Sequence, residues 1–112
     1  MHILYEDNHI IAVNKSSSDI VQGDKTGDMP LSEEVKLYLK KKYNKPGDVF
    51  LGVVHRLDRP VSGVVVFAKT SKALSRMNEL FKTRQVEKVY WAIVKNMSED
   101  TEGRLEHYLL KN

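Results

Sequence analysis

One carboxylate set among cations is the part of this sequence best equipped for chemistry. In His55-Arg56-Leu57-Asp58-Arg59-Pro60-Val61-Ser62-Gly63, Asp58 has an arginine close by on each side. Nearby positive charge favours the ionised form of an acid, and an ionised carboxylate can act as a nucleophile or as a general base. Pro60 lacks an amide hydrogen and Gly63 tolerates unusual backbone angles, so the stretch reads as a shaped loop. A plain structural role competes with this reading, because an aspartate in a loop also serves as a turn former or a surface ion-pair partner.

Other chemistries fit poorly. The four histidines (His2, His9, His55, His107) have no paired spacing, and there is no cysteine, so no metal site is expected. The order His-Arg-Leu-Asp differs from a kinase catalytic loop, and no Gly-rich loop or Asp-Phe-Gly accompanies it. A glycosidase-like acid pair would need Glu87 or Glu106 to reach Asp58.

The loop must be positioned by what flanks it. Val53-Val54 before it and Val64 to Ala68 after it are short β-branched or aromatic runs that make buried strands. Ile3-Leu4-Tyr5 and Ile10 to Asn14 read as two strands around the polar turn Glu6 to His9. Ile20 to Asp24 reads as a brief strand followed by a turn-rich loop through Asp28. Helical spacing runs from Pro30 to Tyr43, with Leu31, Val35, Tyr38 and Leu39 on one face, acids first and lysines last. A second helix spans Ser71 to Thr83, with Leu74, Met77, Leu80 and Phe81 as its apolar stripe and Thr70 or Ser71 as its cap. Val86 to Val94 alternates as a strand using both faces, 96–103 is an acidic loop, and Arg104 to Leu110 reads as one more strand. Without a regular βαβ repeat, the expected class is α+β: a mixed, largely antiparallel sheet with flanking helices.

The loop resembles the HRLDxxTSG signature of RluA-type pseudouridine synthases. His55, Arg56, Leu57, Asp58, Ser62 and Gly63 match in order, and Val61 stands where threonine is usual. Lys88-x-Tyr90-x-Ala92-x-Val94 resembles the family's second motif, and Asn14-Lys15 its first turn, with Ser16 and Ser18 in place of proline and glycine. The resemblance implies an isomerase that detaches uracil from its ribose, rotates it and rejoins it through C5. It assigns Asp58 as the catalytic nucleophile or base, a choice left open. Tyr90 becomes a catalytic residue in the proton step at C5, and Arg56 an RNA-binding residue that fills the gap left by the flipped base. His55, Leu57, Ser62 and Gly63 shape the loop. No cofactor is implied.

The basic residues fit an RNA partner. Between Lys69 and Lys88 there are six cations against two acids, and Arg59, Lys69, Lys72, Arg76 and Lys88 join Arg56 as RNA-binding candidates. A second basic cluster runs from Lys36 to Lys45, and for Lys40-Lys41-Lys42 within it a solvated helix face is the better reading. The implied RNA is ribosomal or transfer RNA, with no obligate protein partner. No signal-like start and no apolar run of ~20 residues is present, so a cytoplasmic setting away from membranes is expected. With 112 residues, the chain is expected to be the N-terminal part (1–112) of a single catalytic domain, without an S4-like domain. The family's later Gly-Arg-Thr-His-Gln-type motif, whose arginine pairs with the catalytic aspartate, has no match, so the fold is expected to be truncated. The alternative reading is a non-catalytic RNA-binding fragment or inactive paralogue.

Overall fold

The computed structural model describes residues 1–96 and 99–110. Its centre is an antiparallel sheet of four strands in the order β1-β2-β4-β3. Strand β1 (His2–Glu6) turns into β2 (Ile10–Lys15). The turn is closed by Asp7, whose Oδ1 accepts the amides of His9 (2.7 Å) and Ile10 (2.8 Å), the side-chain turn that aspartate favours. Between β1 and β2 the register shifts between Ile3 and Tyr5, which bends the outer strand. Strand β4 (Gly63–Ala68) pairs with β2 along its whole length, from Ile10 opposite Ala68 to Lys15 opposite Gly63. On its other edge lies β3, only Gly52–Val53.

Period-two alternation divides the sheet into two faces. Ile11 and Val13 of β2 and Val65 and Phe67 of β4 point to one face and are fully buried. Helix α1 (Leu31–Lys42) covers that face with Leu31, Val35 and Leu39, forming the main apolar core together with Val21. Fully burying each such side chain contributes about 1.5–3 kcal/mol. Helix α2 (Ser71–Lys82) packs on the opposite face, where Ala12, Ala68 and Ala73 are buried. Thr70 caps α2, its Oγ1 accepting the Ala73 amide at 3.0 Å. Close packing here depends on Gly52, because a Cβ at that position would stand 2.8 Å from Leu74 Cδ1. The expected stripe is less buried than its spacing suggests: Leu74, Met77, Leu80 and Phe81 are all half-buried.

Three expected strands do not form. Ile20 and Val21 are buried, but their carbonyls accept the Leu31 (2.7 Å) and Ser32 (3.0 Å) amides. They thereby satisfy the open N-terminus of α1, whose Pro30 cap offers no side-chain acceptor. A chain spending its carbonyls on a helix end cannot also pair as a strand. Residues 86–94 and 104–110 are irregular and exposed, with Trp91 at 97% and Leu109 at 94% of full exposure. Alternation specifies a strand only when a neighbouring edge supplies the ladder, and neither stretch pairs with a sheet edge. Within the expected acidic loop 96–103, Met97 and Ser98 lie outside the described residues.

A buried acid ties the layers together at the β1 end. The Glu6 carboxylate accepts bonds from Lys42 Nζ (2.8 Å), Tyr38 Oη (3.1 Å), Tyr43 Oη (2.6 Å) and Lys69 Nζ (2.6 Å). Burial alone would raise its pKa. The four donors outweigh that and hold it at about 2.

Candidate active site

The loop between β3 and β4 is built from both ends. Position 54 would stand opposite Val66 if the β3 register continued, but β3 stops at Val53. The side chain of His55 takes over instead: its Nε2 accepts the Val66 amide at 3.0 Å. The imidazole stacks on Phe81 of α2, with ring centroids 5.1 Å apart and planes inclined by 23°. Desolvation, with Lys88 adding a smaller repulsion, pushes the His55 pKa down, so the ring is neutral near pH 7. At the far end Gly63 has φ +144°, a conformation reserved for glycine, and Leu57 lies against it, 3.5 Å from where a Cβ would be.

From below, the loop is held by a lysine that in sequence reads only as part of a turn. Lys15, the last residue of β2, is fully buried, and its ammonium donates to the carbonyls of Val61 (2.6 Å), Arg59 (2.9 Å) and Ser16 (3.0 Å). Desolvation is the main cause that pushes its pKa down, partly countered by the charges of Asp19 and Asp58. The Ser18 amide adds a bond to the Arg59 carbonyl (2.8 Å), and the Val61 amide closes a turn on the Asp58 carbonyl (2.9 Å). The signal was in the register: alternation along β2 points position 15 to the core face, where a lysine demands buried acceptors.

Asp58 therefore sits on a backbone turn fixed from two sides, with its side chain exposed. Its surroundings differ from the expected pair of arginines. Arg59 turns away, bonding Asp28 and the Ser18 carbonyl (2.8 Å). Arg56 is exposed and makes no ion pair with Asp58 among the described residues. Lys15 beneath the loop senses the Asp58 charge, though less than its own desolvation and the charge of Asp19.

Beside the loop is a cavity of about 490 Å³ lined by His55, Leu57, Val61, Ser62, Gly63, Val64, Val66 and Phe81, and closed by residues 86–91. It brings Tyr90 and Lys88 next to the loop-shaping residues. Asp58 and Arg56 are not on its wall. Tyr90 is itself 62% exposed, and the Lys88 ammonium lies 5.6 Å over the Phe81 ring. The remaining basic candidates separate. Lys72 and Arg76 flank a groove at the opposite end of β4, with His9, Ile10, Met77 and Leu80. Lys69 is used internally: its ammonium is nearly buried and bonds Glu6 and the Asp7 carbonyl (2.7 Å), so it presents no free cation to RNA. Among the described residues no group of three or more His, Asp or Glu side chains is placed to hold a metal, and no helix is long and apolar enough to cross a membrane.

Residues 9–112 match the family model described as RNA pseudouridylate synthase, and the chain belongs to that family. Two relatives narrow the likeness, both named ribosomal large subunit pseudouridine synthase C. The one from Escherichia coli (strain K12) is 34% identical over 110 residues, 98% of this chain and 33% of its own length. The one from Buchnera aphidicola (subsp. Acyrthosiphon pisum, strain APS) is 34% identical over 109 residues, 97% of this chain and 33% of its own. The solved structure titled Human RNA Pseudouridylate Synthase Domain Containing 4 superposes with a TM-score of 0.63 at 27% identity, over 75% of this chain and 30% of that one. The chain spans about a third of the length of the curated relatives it matches.

Proposed function

We propose that this chain carries the catalytic loop of an RNA pseudouridine synthase that isomerises uridines in ribosomal RNA. In this reading Asp58 supplies the anion that detaches uracil, as nucleophile or base. Tyr90 lies against the freed base and serves the proton step at C5. Arg56, exposed two residues before Asp58, fills the stack from which the target nucleotide leaves. Lys72, Arg76 and Lys88 contact the RNA backbone, with Arg59 bracing the loop through Asp28. Residues 1–112 are then the N-terminal part of one catalytic domain acting in the cytoplasm, with no cofactor. The names of the relatives favour ribosomal over transfer RNA as the substrate.

The observation that carries this reading is the placement of Asp58. It is an exposed acid on a turn whose carbonyls are held by a buried lysine and whose entry is bound to β4. Such bracing fixes the geometry of a reactive group before substrate arrives. The test is tritium release from C5-labelled uridine in ribosomal and transfer RNA, comparing the chain extended past Asn112 to the length of its relatives with the Asp58→Asn variant of the same protein. Release from ribosomal RNA that disappears in the variant while RNA binding persists is the expected result. Equal release from both proteins overturns the role of Asp58. Binding without release from either favours the non-catalytic RNA-binding alternative.

A further inference from the structure

The neutral imidazole at the entrance of the loop has a chemical requirement that a packing residue would not have. The Val66 amide is a donor, so the atom facing it must carry a lone pair. Nε2 is therefore unprotonated, and the ring proton resides on Nδ1. A strand amide in this position would ordinarily bond the backbone of β3, but β3 has ended. One side-chain lone pair thus replaces a ladder carbonyl, and it joins the first residue of the loop to the middle of β4. Asp58 is three residues further on. Protonating Nε2 would set two donors face to face and remove the acceptor that the Val66 amide uses.

We propose that His55 is a positioning residue whose neutral, Nδ1-protonated ring locks the Asp58 loop to β4, so that protonation of His55 releases the loop. This rests on the reading of Asp58 as the catalytic acid. The surroundings support it. Phe81 covers one face of the ring, and the other ionisable groups lining the same cavity are Glu87, Lys88 and Tyr90. Burial and Lys88 disfavour the cation. Since the folded-state pKa lies below the unfolded value of 6.5, the lock is complete above about pH 6.5 and is lost as pH falls through the folded value. The loop is then held only from the other side, by Lys15, the Ser18 amide and the Arg59–Asp28 pair.

Two variants separate an acceptor from a packing ring. His55→Gln offers an amide oxygen near the position of Nε2 and does not titrate. His55→Phe keeps a ring against Phe81 and has no acceptor. In the ¹⁵N-labelled chain, long-range ¹H–¹⁵N correlation at pH 7.5 should show Nε2 unprotonated and Nδ1 protonated. The protection factor of the Val66 amide, its exchange relative to the intrinsic rate at each pH, should fall as pH falls and His55 titrates. It should stay constant throughout that range in His55→Gln and be about tenfold smaller at all pH in His55→Phe, the loss of one buried hydrogen bond. In the tritium assay the part of the acid limb of kcat that follows His55 should vanish in His55→Gln, leaving the loss of activity that protonation of the catalytic acid itself causes. His55→Phe should lower kcat about tenfold with little change in KM. An Nε2–H tautomer, or Val66 protection in His55→Phe equal to wild type, overturns the proposal without reference to activity. The expected exchange pattern with no tritium release from any of the proteins favours the non-catalytic RNA-binding alternative and leaves the lock established.

Discussion

Lys15→Met is the substitution that most directly tests how the loop is built. Methionine nearly matches the lysine stem in volume and length, so packing beneath β4 is kept while the ammonium is removed. Three carbonyls, those of Ser16, Arg59 and Val61, lose their charged donor. A hydrogen bond to a charged group contributes roughly 1.5–3 kcal/mol. The total is offset by the cost of keeping an ammonium away from water, which methionine does not incur. The expected net loss is about 2–4 kcal/mol, a large fraction of the 5–15 kcal/mol typical of a domain. Urea unfolding followed by far-ultraviolet circular dichroism measures it. Trp91, at 97% exposure, would be a poor fluorescence reporter. Hydrogen exchange localises the effect: the Ser18 and Val61 amides, which bond the Arg59 and Asp58 carbonyls, should open faster, and more so than amides of the β1–β2 ladder. A loss below about 1 kcal/mol with unchanged exchange at those two amides would refute the claim that Lys15 carries the loop.

Glu6 predicts an acid transition. A folded pKa of about 2 against a usual 4.5 corresponds to at most roughly 3 kcal/mol. Because the folded value is the lower one, this stability is complete above pH 4.5 and is lost as pH falls through about 2. In Glu6→Gln the pH dependence of unfolding between pH 5 and 2 should flatten; an unchanged slope would mean that Tyr38, Lys42, Tyr43 and Lys69 do not act through this carboxylate. Arg56→Ala should weaken turnover of structured RNA more than of a single-stranded substrate, since only the former has a stack to refill. Equal losses on both would assign Arg56 to general phosphate binding.

Local rules made much of the fold legible. Alternation found β1, β2 and β4, and the 3.6-residue period with acids first and lysines last found α1. Thr70 and the stripe after it found α2. The loop 55–63 stood out because its residue types are too specific for a turn alone. Those features depend on neighbours in sequence, which is why they can be read there. What the sequence did not disclose depends on partners far along the chain. Whether Ile20-Val21 becomes a strand or the cap of a helix rests on where Leu31 arrives. Whether Val86 to Val94 forms a strand rests on an available edge, and none pairs with it here. Lys69 looked like a surface cation until Glu6, 63 residues away, took its charge, and Arg59 looked like a partner of Asp58 until Asp28 claimed it. The sequence by itself singled out the acid on the loop and the strands that flank it. Only the tertiary structure decided what holds that acid in place, because the bonds from Lys15 to the loop span 44 and 46 residues.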